Sequence, residues 1–234
     1  MNEINKQTDF KKGSVLLIDK PFEWSSFDVV NKVRILLQKK FRYKWLKVGH
    51  AGTLDPLATG LMILCTGNTT RDINRYLSME KEYIATICLG KSTPSFDLET
   101  EPDQAFPIEH ITRELILKTL ATFKGRIKQV PPIFSAKRLN GKRAYEFARK
   151  GKEIDLKANT VFIREIELIE YNKPVVVLRI KCGKGTYIRA LARDFGKALN
   201  SGAHLIALKR ISIGDFKISD ALTIKQFEEK LKLL

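Results

Sequence analysis

Cysteines, long apolar runs and a leader-like start are scarce or missing in this sequence, and each absence excludes a class of protein. The three cysteines, Cys65, Cys88 and Cys182, are widely spaced and odd in number, which favours a reducing compartment over a disulfide framework. The longest apolar runs, such as 61–65 and 175–178, are far too short to cross a bilayer. The N-terminus has charges without an apolar segment after them, so no secretory signal is predicted. We therefore expect a cytoplasmic protein with no membrane contact.

Signals for a metal ion or a cofactor are missing as well. The three histidines, His50, His110 and His204, show no paired ligand spacing with one another or with the cysteines. Residues 183–186 read GKGT, but the complete phosphate-loop pattern GxxxxGK[ST] is absent. No GxSxG elbow presents a serine nucleophile. The sequence thus predicts neither a metal nor a cofactor.

Acidic residues are outnumbered, with 26 Asp and Glu against 42 Lys and Arg in 234 residues, which gives a formal net charge of +16. The hydrophobic fraction of 44% is enough for a sizeable core, so the chain is not intrinsically disordered. Such an excess of positive charge favours a polyanionic partner, with nucleic acid first. The alternative is that the charge only keeps the protein soluble.

The charge is unevenly distributed along the chain. Residues 124–152 carry ten Lys and Arg and one acid, residues 179–210 carry eight and one acid, and residues 90–117 are acidic. A further segment, KKFRYKWLK at 39–47, interleaves five cations with three aromatic residues. Cations neutralise phosphates and aromatic rings stack on exposed bases, so this pattern is typical of RNA binding. The alternative for 39–47 is a solvated helix end with its aromatic side chains in the core.

Hydrophobic periodicity predicts a mixed α and β fold with a largely antiparallel sheet. The predicted strands are 14–21, 61–65, 81–90, 160–171, 175–182 and 203–216. Strands 160–171 and 175–182 are predicted to form a hairpin. The predicted helices are 25–40, 70–79, 112–123, 142–151, part of 185–199 and 222–234, with Ser25 or Ser26 as the first N-cap. Residues 49–60 and 125–141 are predicted to be loops. Because no break in composition is visible, we expect one domain over 1–234.

The loop GHAGTLDPLATG, residues 49–60, is the most informative segment. Its three glycines allow tight turns and close approach to another chain. Asp55 precedes Pro56, which restricts Asp55 to extended backbone conformations. A carboxylate on such a rigid loop can act as a nucleophile or a base. An isolated Asp-Pro pair is, however, most often an ordinary turn signal.

The same loop resembles the catalytic motif of the bacterial tRNA pseudouridine-55 synthases (TruB type). Further segments resemble the motifs of that family in the same order, namely LLIDKP, KEYIATICLG, VPPIFSAKRLNGKRAYEFARKG, CGKGTYIRALARDFGKAL and GAHLIALKR. The resemblance implies a pseudouridine-synthase-like α+β catalytic domain, with a mixed, largely antiparallel sheet flanked by helices and a basic RNA-binding thumb loop around 124–152. Since the chain stops near the place where a PUA-like domain begins in typical members, it resembles a short form without that domain.

The resemblance also implies a catalytic set. Asp55 matches the aspartate nucleophile, Tyr83 the tyrosine that stacks on the target base, and Arg189 the arginine that pairs with the aspartate. If GTYIR continues the preceding strand, Tyr187 and Arg189 point to the same face. If the segment is helical, the two side chains diverge by roughly 200° and the pairing would fail.

Substrate contacts are implied in the same way. His50 matches a histidine that contacts the RNA and could fill the space left by a flipped base, while Tyr187 and Leu208 match other substrate-contacting positions. Lys20 matches a supporting residue of the site. In the thumb loop the RNA-binding residues would be Lys137, Arg138, Lys142 and Arg143. Without the family, Tyr83 and Leu208 would be read as core residues and His50 as a loop histidine.

The implied function is isomerisation of uridine 55 in the T-arm loop of tRNA to pseudouridine, by a cytoplasmic monomer that needs no cofactor. The target base would be flipped out of the folded loop, and the aspartate would either add to the nucleoside or deprotonate the sugar. Two alternatives remain at this point: a pseudouridine synthase for another RNA site, and a non-catalytic tRNA-binding or tRNA-folding protein.

Overall fold

The computed structural model describes residues 7–135, 138–139, 142–143 and 156–234, the two short middle ranges by backbone only. The thumb-loop position Lys137 therefore lies outside the described residues. The same holds for the side chains of Arg138, Lys142 and Arg143.

Helices and strands are interspersed along the described chain. The α-helices are α1 (Ser26–Phe41), α2 (Ile73–Ser78), α3 (Arg113–Thr122), α4 (Ile188–Ala198) and α5 (Ile224–Lys232). The first strands are β1 (Val15–Lys20), β2 (Val48–His50), β3 (Ala58–Thr66), β4 (Lys81–Leu89), β5 (Lys91–Ser92), β6 (Gln104–Ala105) and β7 (Gly125–Gln129). The later strands are β8 (Arg138–Leu139), β9 (Lys142–Arg143), β10 (Asn159–Asn172), β11 (Val175–Cys182), β12 (Ala203–Ile213), β13 (Phe216–Lys217) and β14 (Leu222–Thr223). The fold is thus α+β, with a large mixed sheet flanked by helices.

The chain divides into two compact units, and the first comprises Met1–Tyr83 and Leu208–Leu234. In this unit β3 pairs antiparallel with β1 and with β2, and parallel with β12. Strand β14 pairs parallel with β1. A core cluster of fully or almost fully buried side chains comprises Leu17, Ala51, Leu61, Ile63, Cys65 and Ile213. Because Ala51 belongs to this cluster, the core fixes the start of the loop that follows β2.

The second unit comprises Ile84–Ala207. Here β10 pairs antiparallel with β11 and with β7. Helices α3 and α4 contact each other, and Phe123 and Phe195 meet edge to face with ring centroids 6.3 Å apart. The Tyr171 hydroxyl donates a hydrogen bond to the Ile111 carbonyl over 2.9 Å. The expectation of a single domain over 1–234 stays a prediction.

Most of the predicted elements are confirmed. Strand β4 shows strict alternation, with Tyr83, Ala85, Ile87 and Leu89 buried on one side as expected. The predicted hairpin of β10 and β11 is present. Ser25 rather than Ser26 caps α1, in a capping box with Asp28.

Three local predictions were wrong in part. The loop expected over 49–60 is shorter, because its ends belong to β2 and β3. The loop expected over 125–141 begins with a strand, since β7 finds its partner in β10, a distant segment that local patterns do not reveal. The helix expected over 142–151 begins instead with β9, and the rest of that helix lies outside the described residues.

Candidate active site

The loop that bears Asp55 connects β2 to β3 in the first unit, and we call residues 51–57 the Asp55 loop. The Ala51 N–H donates to the Ile63 carbonyl over 2.9 Å, and the Ala58 N–H donates to the Asp55 carbonyl over 3.1 Å. Gly60, the third residue of β3, has a φ of +107°, and an added Cβ would lie 2.3 Å from the Arg210 carbonyl oxygen. Only glycine therefore allows β12 to approach β3 so closely.

Three side chains from elsewhere in the first unit bind the backbone of the Asp55 loop. Ser26 Oγ donates to the Leu54 carbonyl over 2.9 Å and accepts from the Leu54 N–H over 2.8 Å. Lys20 Nζ donates to the Pro56 carbonyl over 3.0 Å. Arg210 Nη2 donates to the Gly52 carbonyl over 3.1 Å.

These hydrogen bonds fix the backbone on both sides of Asp55. Leu54 precedes Asp55 and Pro56 follows it, and each is bound by a side chain that is almost completely buried. Because these hydrogen bonds are shielded from water, they hold the backbone of the Asp55 loop in one position. The arrangement presents one carboxylate from a rigid support, as a nucleophile or base requires.

Lys20 combines burial with charge. It is 0% exposed, and Nζ also donates to the Pro21 carbonyl over 2.8 Å and to the Trp24 carbonyl. Burial lowers the pKa of the Lys20 amine to about 8, and the negative charge of Asp55 acts against that shift. Lys20 therefore interacts electrostatically with Asp55 while it binds the next residue along the loop.

His50 lies at the end of β2, directly before the Asp55 loop. Burial and then the positive charge of Arg210 lower the pKa of its imidazole, so His50 is neutral at neutral pH. Within the described ranges, its buried Nδ1 has no hydrogen-bond partner. A neutral ring can contact a base or a ribose, although it cannot form an ion pair with a phosphate.

Leu208 and Tyr83 are the other predicted positions in the first unit. Leu208 is 9% exposed and pairs in register with Ala58, the residue after the Asp55 loop. Tyr83 is 8% exposed on the buried side of β4. The structure thus brings Leu208 to the end of the Asp55 loop. The burial of Tyr83 fits a core position as well as a stacking platform that the substrate must reach.

Arg189 lies in the second unit, in the first turn of α4. Because α4 begins at Ile188 and Tyr187 before it is extended, GTYIR neither continues the strand nor is helical throughout, so neither sequence alternative holds as stated. Arg189 is 4% exposed, and its Nε lies 3.4 Å from Oδ2 of Asp97. Its two terminal nitrogens donate to the Ser95 carbonyl over 3.1 Å and to the Phe134 carbonyl over 2.8 Å. The predicted pairing with Asp55 stays a prediction.

Tyr187 is the N-cap residue of α4 and keeps an extended backbone. The side-chain amide of Gln129, which is 1% exposed, brackets it: Oε1 accepts from the Tyr187 N–H over 2.9 Å, and Nε2 donates to the Tyr187 carbonyl over 3.2 Å. The end of β7 therefore sets the position of Tyr187 at the start of the helix.

Sequence reasoning missed four residues that support these positions, namely Ser26, Asp97, Gln129 and Arg210. Ser26 was considered only as a helix cap, and Asp97 only as part of an acidic segment. A signal existed for Arg210, which is the last residue of the GAHLIALKR segment, but no local pattern connects it with Gly52, 158 positions away. Long-range partners of this kind become visible only when the chain is folded.

Metal ligands and membrane-crossing helices are absent from the ranges given above. Those ranges hold no group of three or more His, Cys, Asp or Glu side chains placed to bind a metal ion. None of their helices combines the length and the apolar character needed to cross a bilayer.

Comparison with known proteins finds matches to one family along most of the chain. Residues 38–188 match the family described as TruB family pseudouridylate synthase (N terminal domain), and residues 189–233 match the tRNA pseudouridylate synthase B C-terminal domain. The tRNA pseudouridine synthase B of Phocaeicola vulgatus is 57% identical over 95% of this chain and 95% of that protein. That of Parabacteroides distasonis is 55% identical over 96% and 95%, and that of Chloroherpeton thalassium 44% identical over 94% and 90%.

Solved structures show the same fold. A chain in the crystal structure of a Cbf5-Nop10-Gar1 complex is 26% identical and superposes with a TM-score of 0.70, covering 94% of this chain and 54% of that one. A chain in the structure of an H/ACA RNP bound to a substrate RNA containing 2'-deoxyuridine is 26% identical with a TM-score of 0.66, covering 94% and 53%. This chain therefore spans about half the length of those two solved chains.

Proposed function

Since the chain belongs to the TruB family of pseudouridylate synthases, which are isomerases, we propose that it converts uridine 55 in the T-arm loop of tRNA to pseudouridine. The names of its relatives support tRNA as the substrate. The observation that carries the proposal is the fixation of the Asp55 loop, in which both neighbours of Asp55 are bound by buried side chains. The enzyme would act as a monomer in the cytoplasm.

The proposed reaction rearranges bonds without changing the composition of the nucleoside. The C1′–N1 glycosidic bond breaks, the detached uracil turns in the site, and a C1′–C5 bond forms. The proton at C5 is then lost, and N1 gains a proton. Asp55 supplies the carboxylate, which either adds to the nucleoside or takes a proton from the sugar.

Rigid support of Asp55 favours this chemistry for two reasons. A nucleophile on a fixed loop is already oriented, which removes much of the entropic part of the barrier. The charge of the buried Lys20 interacts electrostatically with Asp55, while its Nζ binds the Pro56 carbonyl next to it. Both effects depend on residues that do not touch the reacting atoms.

The family resemblance assigns the remaining roles. Tyr83 would stack on the target base, Tyr187 and Leu208 would contact the substrate, and Arg189 would pair with Asp55. His50 would occupy the place that the flipped base leaves in the T-arm loop, and its neutral ring suits contact with neighbouring bases. The basic residues Lys137, Arg138, Lys142 and Arg143 would bind the phosphate backbone without reading its sequence.

A tritium-release assay tests the proposal. A tRNA transcript with tritium at C5 of uridine should release tritium when the enzyme turns over, and mapping of the product should place pseudouridine at position 55. Asp55→Asn should reduce release by more than about a thousandfold while tRNA binding and folding are kept. Asp215→Asn, which changes an exposed carboxylate between β12 and β13, is the matched control and should act like the wild type.

Two results would contradict the proposal. Turnover of Asp55→Asn close to that of the wild type would exclude the aspartate as nucleophile or base. Modification at another uridine, with position 55 unchanged, would assign the enzyme to a different RNA site.

A further inference from the structure

The segment 39–47 contains a surface that the proposed function leaves without a role. Residues 42–47 connect α1 to β2, and we call them the Trp45 loop. Trp45 is 70% exposed, which is unusual for a large aromatic side chain that could contribute to a core. The adjacent cations Arg42, Lys44 and Lys47 are exposed as well.

The Trp45 loop is ordered on both sides of its tryptophan. At its start, Arg42 adopts the left-handed conformation that ends α1, and the Tyr43 N–H donates to the Gln38 carbonyl over 3.1 Å. At its end, Leu46 is 2% exposed, and the Lys47 carbonyl accepts from the Gly67 N–H over 2.8 Å. Exposure of Trp45 is therefore a property of a fixed loop.

The other two aromatic residues of the segment behave differently. Phe41 and Tyr43 stack with centroids 5.6 Å apart, and Phe41 also contacts Phe10 at 5.4 Å. Lys11 Nζ lies 4.8 Å from the centroid of the Tyr43 ring. The interpretation of 39–47 as a helix end with packed aromatic side chains thus holds for Phe41 and Tyr43 but fails for Trp45.

The charges around Trp45 have no acidic partners in the parts of the chain given above. No carboxylate among those residues forms an ion pair with Arg42, Lys44 or Lys47. An exposed ring between exposed cations matches single-stranded nucleic acid, in which a base offers a flat face and the flanking phosphates offer negative charge. An apolar protein partner would leave these cations unpaired.

We propose that the Trp45 loop is a second RNA-binding surface, on which Trp45 stacks against an unpaired base of the tRNA and Lys44 and Lys47 bind the adjacent phosphates. This inference rests on the proposed function in one respect, because it takes tRNA as the substrate. It adds a contact outside the Asp55 loop and the thumb loop. The segment continues through β2 to His50, so it lies on the same run of chain as the Asp55 loop.

Equilibrium binding of an unmodified full-length tRNA transcript tests the stacking contact. The parent protein is the Asp55→Asn variant, which holds the RNA without turnover. Adding Trp45→Ala should weaken binding about tenfold, whereas Trp45→Phe, which keeps a flat ring, should cost less than about threefold. Ile35→Ala is the matched control, since Ile35 is 51% exposed in the same unit but has no π face.

Salt dependence separates stacking from charge. Trp45→Ala should leave the slope of log affinity against log salt unchanged, while the double change Lys44→Ala with Lys47→Ala should reduce it by about 1.5. Tryptophan fluorescence is an independent readout, because the chain has only one other tryptophan, Trp24. Quenching by tRNA should be largely lost in Trp45→Phe.

If the affinity of Trp45→Ala for tRNA lies within about twofold of that of the parent, the inference is wrong, even if the surface binds some other partner. That result would leave the proposed function intact if the wild type still modifies uridine 55. Failure of the parent to bind tRNA at all would contradict the proposed function and this inference together.

Discussion

Two adjacent serines, Ser25 and Ser26, have different tasks at the start of α1. Ser25 caps the helix, and its Oγ accepts from the Asp28 N–H over 3.2 Å. Ser26 instead binds both backbone groups of Leu54, although the two residues are 28 positions apart. Of the two positions that the sequence pattern offers as a cap, the second therefore supports the Asp55 loop instead.

Ser26→Ala should lower kcat by about tenfold to a hundredfold with little change in KM. The substitution leaves the buried N–H and carbonyl of Leu54 without their partner, so the loop shifts and Asp55 loses its orientation. Single-turnover tritium release at saturating tRNA measures the effect.

Ser25→Ala is the matched control for this prediction. It removes the cap of α1 and should reduce the free energy of unfolding by about 1 kcal/mol while kcat is unchanged. Equal losses of kcat in both variants would mean that α1 as a whole, rather than the Ser26 contact, positions the loop.

Lys20 predicts a pH dependence of the reaction. Its pKa is lowered to about 8, so the amine is charged below pH 8 and becomes neutral above it. Its attraction for Asp55 is thus present below that pH and is lost as pH rises through it. We expect kcat/KM of the wild type to fall with a midpoint near pH 8.

Lys20→Met provides the comparison. This variant should be less active at neutral pH and should lack the falling limb near pH 8, because no amine remains to titrate. Measurement of kcat/KM from about pH 6 to about pH 10 tests this prediction, because the pH dependence of this ratio reports the pKa values of ionisable groups in the free enzyme. A limb that persists in Lys20→Met would assign it to another group.

At the scale of single elements, the loop between β5 and β6 supplies a carboxylate that contacts the start of α4. Asp97 is 4% exposed, its carbonyl accepts from Thr93 Oγ1 over 2.7 Å, and its carboxylate accepts from the Glu99 N–H over 3.0 Å. The loop therefore presents a fixed carboxylate to Arg189 at the start of the helix. The acidic segment noted in the sequence includes at least one buried structural charge.

Asp97→Asn should reduce the free energy of unfolding by about 3 kcal/mol, because the guanidinium of Arg189 stays buried with one negative charge fewer beside it. Urea denaturation measures the loss. Asp103→Asn is the control, since its exposed carboxylate accepts from Ser92 Oγ over 2.6 Å and its replacement should cost no more than about 1 kcal/mol. Similar losses in the two variants would contradict the role of Asp97.

At the scale of the whole molecule, the net charge of +16 predicts binding that weakens with salt. Charge reversal of Lys137, Arg138 and Lys142 together should weaken tRNA binding and reduce the salt slope by about 2 to 3. Filter binding at several salt concentrations measures both quantities.

The control variant changes the net charge by the same amount as the thumb-loop variant. Reversal of Lys217, Lys225 and Lys232, which are exposed in the first unit, should reduce affinity less and leave the slope closer to that of the wild type. If the thumb-loop variant keeps wild-type affinity, the thumb loop is not part of the RNA interface.

The sequence by itself determined the residue types, the periodicity and the motifs. Alternation predicted the buried face of β4, and Asp-Pro within a glycine-rich segment marked the Asp55 loop, because backbone restrictions act on neighbours in the chain. The order of the motifs was enough to indicate the family. It could not tell which serine caps α1, or where the strand-to-helix transition before Arg189 lies.

Only the tertiary structure decided what supports the site. Ser26 meets Leu54, Arg210 meets Gly52, and Arg189 meets Asp97 at separations along the chain that no local pattern spans. The same holds for Trp45, whose exposure depends on which neighbours pack around Phe41 and Tyr43. A buried polar group must find a partner wherever the fold brings one, so its identity depends on the path of the whole chain.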